Sequence, residues 1–327
     1  MRRATDGPRV SVVVTTCADS AELRGCLGRV RDQADALGAE VLLVVNASES
    51  SLGEARPELE KLSDLLSFEP AIGKSHALNR AVDAARGEVI AFTDDDAEPQ
   101  PGWLARLTAP LLAADRPAEL VGTGGPVLPI FDRATPSWFR ERVESKHTYF
   151  LGPRHFLGDE PVEYSSQEGS HTGIPIGANC AYRREVFASY RYDARLGPNR
   201  KTGMRGGEDT LLAMKLMKDG YRLRYCPDAR VRHPVHPERT SVDYVRRAYF
   251  VQGVEWARIR PLLDAPMPSI EEARARVVRL RLKLWVARAQ RALRGGAARE
   301  ERCRRLLFKV ERSKGVLAEL RAPGAAV

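Results

Sequence analysis

Three consecutive aspartates, Asp94, Asp95 and Asp96, follow the apolar run Val89-Ile90-Ala91-Phe92. Carboxylates this close oppose one another's ionisation. Two arrangements relieve the repulsion: a turn open to water, or a hard divalent cation that takes oxygen ligands and leaves room for phosphate oxygens. In such an Asp-x-Asp pattern Asp96 is the candidate metal ligand, and Asp94 reaches toward a ribose hydroxyl or the metal's shell. A second acidic pair, Glu208-Asp209, opens a predicted helix. It reads either as a first turn favoured by the helix dipole or as the source of a general base. The segment Arg232-His233-Pro234-Val235-His236-Pro237 adds two imidazoles whose flanking prolines exclude a regular helix. His233 and His236 are therefore candidate metal ligands or surface histidines of a loop.

Strand ends must carry these groups. Arg9 to Thr16 is a β-branched run of the kind found in a buried parallel strand, and Glu40 to Val45 is a second. A polar helical stretch from about Ser20 to Leu37 lies between them. Ser75 is placed to cap a helix with apolar positions Ala77, Leu78, Ala81, Val82 and Ala85, closed by Gly87. Glu88 to Phe92 then delivers the chain to the aspartates, and Ala118 to Val121 reads as a further strand. Strand–helix alternation predicts an α/β fold with a mostly parallel central sheet. Ligands of such sheets gather at the strands' carboxyl ends. Thr15 and Thr16, Asn46, and Asp94 to Asp96 all fall at such ends, so three strands converge on one crevice.

The blocks GKSHALNRAV (Gly73–Val82), ARGEVIAF (Ala85–Phe92), TDDDAEPQPGWL (Thr93–Leu104), GTGGPVLP (Gly122–Pro129), IPIGANCAYRREVF (Ile174–Phe187) and GGEDTLLAMKLMKDGYRL (Gly206–Leu223) occur in that order. In this combination the chain resembles the family 2 glycosyltransferases, from about Val10 to Gly253. The resemblance implies a GT-A-type, Rossmann-like domain and inverting transfer from a nucleotide-diphosphate sugar of UDP, GDP or dTDP type, with Mn²⁺ or Mg²⁺. It implies that Thr15 and Thr16 flank the base and that Asn46 stands where the family often has an aspartate on uracil or its ribose. It also implies that Asp94 and Asp96 meet ribose, diphosphate and metal, that Asp209 is the catalytic base, and that His233 is a metal ligand. Lys74 and Asp95 join the donor-binding set. Glu208 is an acceptor contact or a partner of Arg205, and Trp138 and Asn179 are candidate acceptor contacts. His76 and His171 receive no role. Acceptors consistent with this reading are a glycan, a lipid-linked glycan or a small molecule.

The 327 residues, 43% hydrophobic, suffice for one large domain with an appendage. The expected division is a catalytic domain over 1–240, with an irregular acceptor-side segment at about 129–175, and a basic helical extension over 241–327. Trp138, Phe139, Tyr149, Phe150 and Phe156 punctuate the irregular segment. The net charge of +9 is concentrated in the extension: between Glu271 and Arg321 there are 16 Lys/Arg against 6 Asp/Glu. There Val278, Leu282, Trp285, Ala289 and Leu293 form an apolar stripe among arginines, and Cys303, Leu306, Leu307 and Val310 repeat the arrangement after Gly295-Gly296. That pattern suits contact with an anionic membrane surface, or a helical hairpin packed on the catalytic domain or another subunit. Too few aromatics interleave the charges for nucleic acid.

Five cysteines without a CxxC pair, an amino terminus without an apolar core, and no run of about 18 apolar residues predict a cytoplasmic protein, at most peripheral at the membrane's inner face. Gly73-Lys74-Ser75 imitates a phosphate-binding loop, but that loop's first glycine would fall at Phe68. Gly122 to Pro126 reads as a turn. The rival functions are a sugar-phosphate nucleotidyltransferase, which would want a glycine-rich basic stretch after the first strand, and a non-catalytic carbohydrate- or membrane-binding module.

Overall fold

The computed structural model describes residues 7–145, 154–165 and 173–322. The chain opens with β1 (Val10–Thr16), α1 (Ala21–Leu37), β2 (Glu40–Val45), α2 (Arg56–Leu62) and β3 (Leu65–Phe68). Next come α3 (Lys74–Ala84), β4 (Val89–Asp94), β5 (Glu98–Pro99), α4 (Trp103–Leu112), β6 (Leu120–Gly124) and β7 (Val127–Phe131). Then follow α5 (Ser137–Ser145), β8 (Val162–Glu163), β9 (Cys180–Arg183), α6 (Glu208–Lys218), β10 (Arg222–Tyr225) and β11 (Val231–Val235). Three helices end the chain: α7 (Val242–Ile259), α8 (Ile270–Arg294) and α9 (Ala297–Leu320). Two compact units form, one from residues 1–130, 153–202 and 208–234, the other from 131–152, 203–207 and 235–327.

The first unit is a layered α/β domain with a mostly parallel sheet. Its large sheet has the order β3-β2-β1-β4-β9-β6-β10-β8. The half β3-β2-β1-β4 and the pair β6-β10 are parallel, while β9 runs antiparallel between β4 and β6. The unbroken apolar runs of β1, β2 and β4 follow from cover on both faces, since alternate side chains point to opposite sides. Val12, Val14, Val41, Leu43 and Ala91 pack with Leu23, Leu27, Leu104 and Leu107 of α1 and α4. Val13, Leu42, Val44, Ile90 and Phe92 pack with Leu78, Ala81, Leu212 and Leu216 of α3 and α6. A short second sheet, β5-β11-β7, stands beside the end of β4.

Local details depart from the sequence reading at α3. Ser75 does not cap the helix: Gly73 occupies the cap at φ 136°, a backbone region closed to other side chains, and Ser75 Oγ donates instead to the Leu196 carbonyl (2.9 Å). Nor does Gly87 end the helix, whose cap residue is Ala85. A Cβ on Gly87 would lie 2.5 Å from the Ser11 nitrogen, so this glycine serves the close approach of the chain to β1. Buried Glu40 completes that junction, accepting from Ser11 Oγ (2.5 Å), Arg86 N (2.7 Å) and Arg86 Nε (2.7 Å). Between 126 and 175 the sequence suggested no regular structure, yet β7, α5 and β8 lie there. Gly122 and Gly124 belong to β6 rather than to a turn. Tyr149, Phe150 and His171 lie outside the described residues.

The second unit is helical. Phe139, Val143, Val245, Ala248 and Phe308 form its core, with Tyr249 stacked on Phe308 (centroids 5.0 Å apart). Helices α7 and α9 approach closely because glycine meets backbone on both sides. A Cβ on Gly253 would fall 2.0 Å from the Arg312 carbonyl oxygen, and one on Gly315 1.9 Å from that of Phe250. The break between α8 and α9 is Gly295-Gly296, and α8 begins with a capping box built by Ser269 and Glu272. No helix among the described residues is long and apolar enough to cross a membrane.

Candidate active site

The carboxyl ends of β2, β1 and β4 lie side by side and present Asn46, Thr15-Thr16 and Asp94 in a row. Thr15 pairs in register with Asp94. Both threonines are buried. Thr16 Oγ1 reaches the Asp95 carboxylate at 2.5 Å and the Ala18 carbonyl at 2.8 Å, which fixes the turn after β1 against the aspartates. Burial pushes the Asp95 carboxyl above its ordinary range, and the neighbouring aspartates add to the effect against the pull of the Thr16 hydrogen bond.

His233 arrives from far along the chain. The antiparallel pairing of β11 with β5 sets Val231 opposite Pro99 and Arg232 opposite Glu98, and this register carries His233 back beside the aspartates. Its Nε2 lies 3.0 Å from Asp96 Oδ1 and 3.5 Å from Asp94 Oδ2. Its Nδ1 lies 3.1 Å from the Pro234 carbonyl, so Nδ1 carries a proton and Nε2 faces the carboxylates. One ligand atom from each of Asp94, Asp96 and His233 falls within 4.8 Å of the others. Burial opposes a charge on His233, but hydrogen bonds to Asp94 and Asp96 outweigh it and push the imidazole up to about 10. Two carboxylates and an imidazole whose nitrogen is aimed between them make a donor set that fits Mn²⁺ or Mg²⁺.

Lys74, in the first turn of α3, forms an ion pair with Asp94 Oδ1. Burial works against the Asp94 charge, yet Lys74 and His233 hold the carboxyl well below the usual range. On its other side Lys74 approaches the acidic pair of α6. A Cβ on Gly177 would stand 3.6 Å from Asp209 Oδ2 and 4.0 Å from Lys74 Nζ. Asp209 and Lys74 thus both border Gly177, and Lys74 is paired in turn with Asp94, which belongs to the cluster with His233 and Asp96.

Within the acidic pair the two carboxyls have different surroundings. Asp209 accepts from Gly177 N (2.9 Å) and Thr210 N (2.7 Å). Glu208 is 4% exposed, and its Oε2 is buried with no hydrogen-bond partner. Burial raises both carboxyls, and for Glu208 the charge on Asp209 adds to it, pushing it up to about 8. Two amide donors favour charge on Asp209, and none favours it on Glu208 Oε2. Of the two carboxyls, Glu208 is therefore the more readily protonated. Arg205 stacks on Tyr244, with its guanidinium carbon 4.3 Å from the ring centroid.

Other expected site residues are engaged elsewhere. The Asn46 amide is fully used by the loop that leads into α3: it donates to the carbonyls of Glu69 (3.0 Å) and Ala71 (2.7 Å) and accepts from Gly73 N (2.9 Å). Asn179 is fully buried; it accepts from Trp103 Nε1 (2.8 Å) and donates to the carbonyls of Pro126 (2.9 Å) and Ala229 (2.6 Å). Trp138 belongs to the helical unit, under the Arg304 guanidinium (5.2 Å) and against Phe139 and Phe308. Gly177, whose amide holds Asp209, was not singled out from the sequence. Its signal was its place in the block Ile174–Phe187.

A sequence profile for glycosyl transferase family 2 matches residues 11–191. The chain belongs to that family. Among curated relatives of this chain, the glucosyl-dolichyl phosphate glucuronosyltransferase of Haloferax volcanii is 24% identical over 219 residues, 65% of each chain. The succinoglycan biosynthesis protein ExoM of Rhizobium meliloti is 26% identical over 230 residues, 67% of this chain and 65% of that one. The chain thus spans about two thirds of the length of these relatives. A mannosyltransferase from Pyrobaculum calidifontis, solved with GDP-mannose and Mn²⁺, superposes with a TM-score of 0.55 at 19% identity, over 97% of this chain and 88% of that one. That likeness shows the shared fold.

Proposed function

We propose that the chain transfers a sugar, with inversion, from a nucleotide-diphosphate donor to an acceptor hydroxyl. The observation that carries this reading is the cluster of Asp94, Asp96 and His233 at the carboxyl edge of the sheet, with Lys74 paired to Asp94 and Asp209 close by across Gly177. Thr15, Thr16 and Asp95 hold the nucleoside side, and Asn46 acts there by fixing the loop from Glu69 to Gly73. Asp94, Asp96 and His233 hold Mn²⁺ or Mg²⁺, which when bound neutralises the departing diphosphate. Lys74 supplies a second positive charge beside the same group. Asp209 accepts the proton of the attacking hydroxyl: its carboxyl is raised by burial above its ordinary range, and Gly177 N and Thr210 N orient it. Neutral Glu208 leaves Asp209 as the charged member of the pair.

The donor named for the Pyrobaculum enzyme, GDP-mannose, and the lipid-linked glucose named for the Haloferax enzyme support a nucleotide-sugar donor and a glycan or lipid-linked acceptor. Five free cysteines, four of them buried, support a reducing, cytoplasmic setting. A catalytic domain over 1–240 and a helical extension over 241–327 remain our division of labour, with the extension serving attachment rather than chemistry. Calorimetry with UDP, GDP and dTDP, each with and without Mn²⁺, tests the donor site. Metal-dependent binding of one nucleotide that disappears in Asp96→Ala is expected. Absence of binding by all three to folded protein with Mn²⁺ present would remove the proposal.

A further inference from the structure

Helix α8 has two apolar faces, and only one of them is covered. Ala273, Val277, Leu284 and Ala287 are buried, and Leu280, Leu284 and Ala287 pack with Cys303, Leu306 and Val310 of α9. At 100° per residue, Val278, Leu282, Trp285 and Leu293 lie on the opposite side. They are 60%, 62%, 68% and 84% exposed. Exposed apolar residues in isolation are ordinary, but a stripe of this length along one helix face marks a contact surface.

The charges on the same helix are one-sided. From Ala273 to Arg294 there are seven arginines and one lysine, and no acidic residue. None of these eight cations has a carboxylate partner among the described residues, whereas Arg304 and Lys314 of α9 pair with Glu300 and Glu311. Neighbouring like charges on a helix repel, so the arrangement is relieved by an anionic surface laid along it. Arg274, Arg281 and Arg288 follow one border of the stripe, and Arg279 and Lys283 the other. Leu282 and Val286 also line a groove of about 680 Å³ to which α9 contributes Arg302, Arg305 and Lys309.

We propose that the exposed face of α8 docks on an anionic lipid surface, with Leu282 and Trp285 entering the acyl boundary and the bordering arginines meeting headgroup phosphates. Apolar centre, cationic borders and an exposed tryptophan are what the boundary between headgroups and hydrocarbon accepts. A second copy fits poorly, because a twofold pairing of this face would set the eight cations of one helix against the eight of the other. The proposal does not depend on the transferase reading.

The test uses the full chain and vesicles of phosphatidylcholine with and without phosphatidylglycerol. Sedimentation with the anionic vesicles alone is expected, weakening as salt rises. At least tenfold weaker binding is expected for Leu282→Ser/Trp285→Ser and for Arg281→Glu/Arg288→Glu, with helical circular dichroism retained. A second readout needs no folding-sensitive variant: lipids brominated on the acyl chain should quench wild-type tryptophan fluorescence, and Trp285→Phe should lose that quenching. Equal binding to neutral vesicles, no binding to anionic ones, or no quenching overturns the proposal. So does a dimer that binds no vesicles and dissociates on Leu282→Ser/Trp285→Ser, which would assign the face to a second copy.

Discussion

Replacing Glu208 by glutamine tests how the acidic pair shares its proton. The ordinary glutamate pKa is about 4.3. In the folded chain burial, reinforced by Asp209, pushes Glu208 up to about 8. A raised carboxyl contributes its full stability below the unfolded value and loses it as pH climbs through the folded one. Between those limits the unfolded chain has released a proton that the folded chain still holds, so stability falls by about 1.4 kcal/mol per pH unit. Over about two pH units below the folded value the cost is on the order of 3 kcal/mol. Glutamine is neutral throughout and close in shape to the protonated acid. Glu208→Gln should therefore match wild type near pH 5, flatten the decline above it, and be the more stable protein at pH 8. Urea midpoints followed by intrinsic fluorescence at a series of pH values measure this directly. An unchanged slope in the variant would refute the reasoning, because Glu208 would then be charged at neutral pH and Asp209 would be the protonated member.

Gly315→Ala should cost about 3 kcal/mol or more by forcing α7 and α9 apart, since the new methyl would meet the Phe250 carbonyl at 1.9 Å; a thermal melt against wild type measures it. Asn46→Asp should destabilise more than Asn46→Ala, because a carboxylate oxygen would replace the amide that donates to the Glu69 and Ala71 carbonyls. The expected losses are several kcal/mol against about 2, read from denaturation midpoints. Lys74→Met should destabilise by about 2 kcal/mol by removing one of the two cationic partners of partly buried Asp94 and leaving only His233, again seen in denaturation.

The parallel half of the sheet was legible because burial on both faces leaves its mark in unbroken runs such as Val10–Val14 and Glu40–Val45. Helix α1 was legible as a helical stretch from about Ser20 to Leu37, although the cap that Ser20 provides was not singled out. Strand β3 was not, since Leu65 to Phe68 lies at the sheet edge, partly exposed, with a pattern too short to stand out. Glycine misled where its purpose was space: Gly87 resembles a helix terminator but admits β1. At the site, the aspartates and Glu208-Asp209 announced themselves by crowding. The proximity of His233 to Asp96 depends on the pairing of β11 with β5, which local pattern does not encode. Asn46 and Asn179 show the complementary case. A buried amide surrounded by backbone carbonyls reads in sequence like a ligand contact, and only the fold reveals that its donors are already used. The stripe on α8 was visible as a period, but which of its two apolar faces α9 covers was not.

The most direct test of the central claim is release of nucleoside diphosphate from sugar nucleotides, UDP-glucose and GDP-mannose among them, with water as the slow acceptor. We predict Mn²⁺-dependent release from one donor by wild type, and none by Asp96→Ala. For Asp209→Asn we predict a loss of about 10²-fold or more with donor binding retained. Release that ignores chelation of the metal, or that persists at the wild-type rate in Asp209→Asn, would contradict the assignment of cation and base on which the account depends.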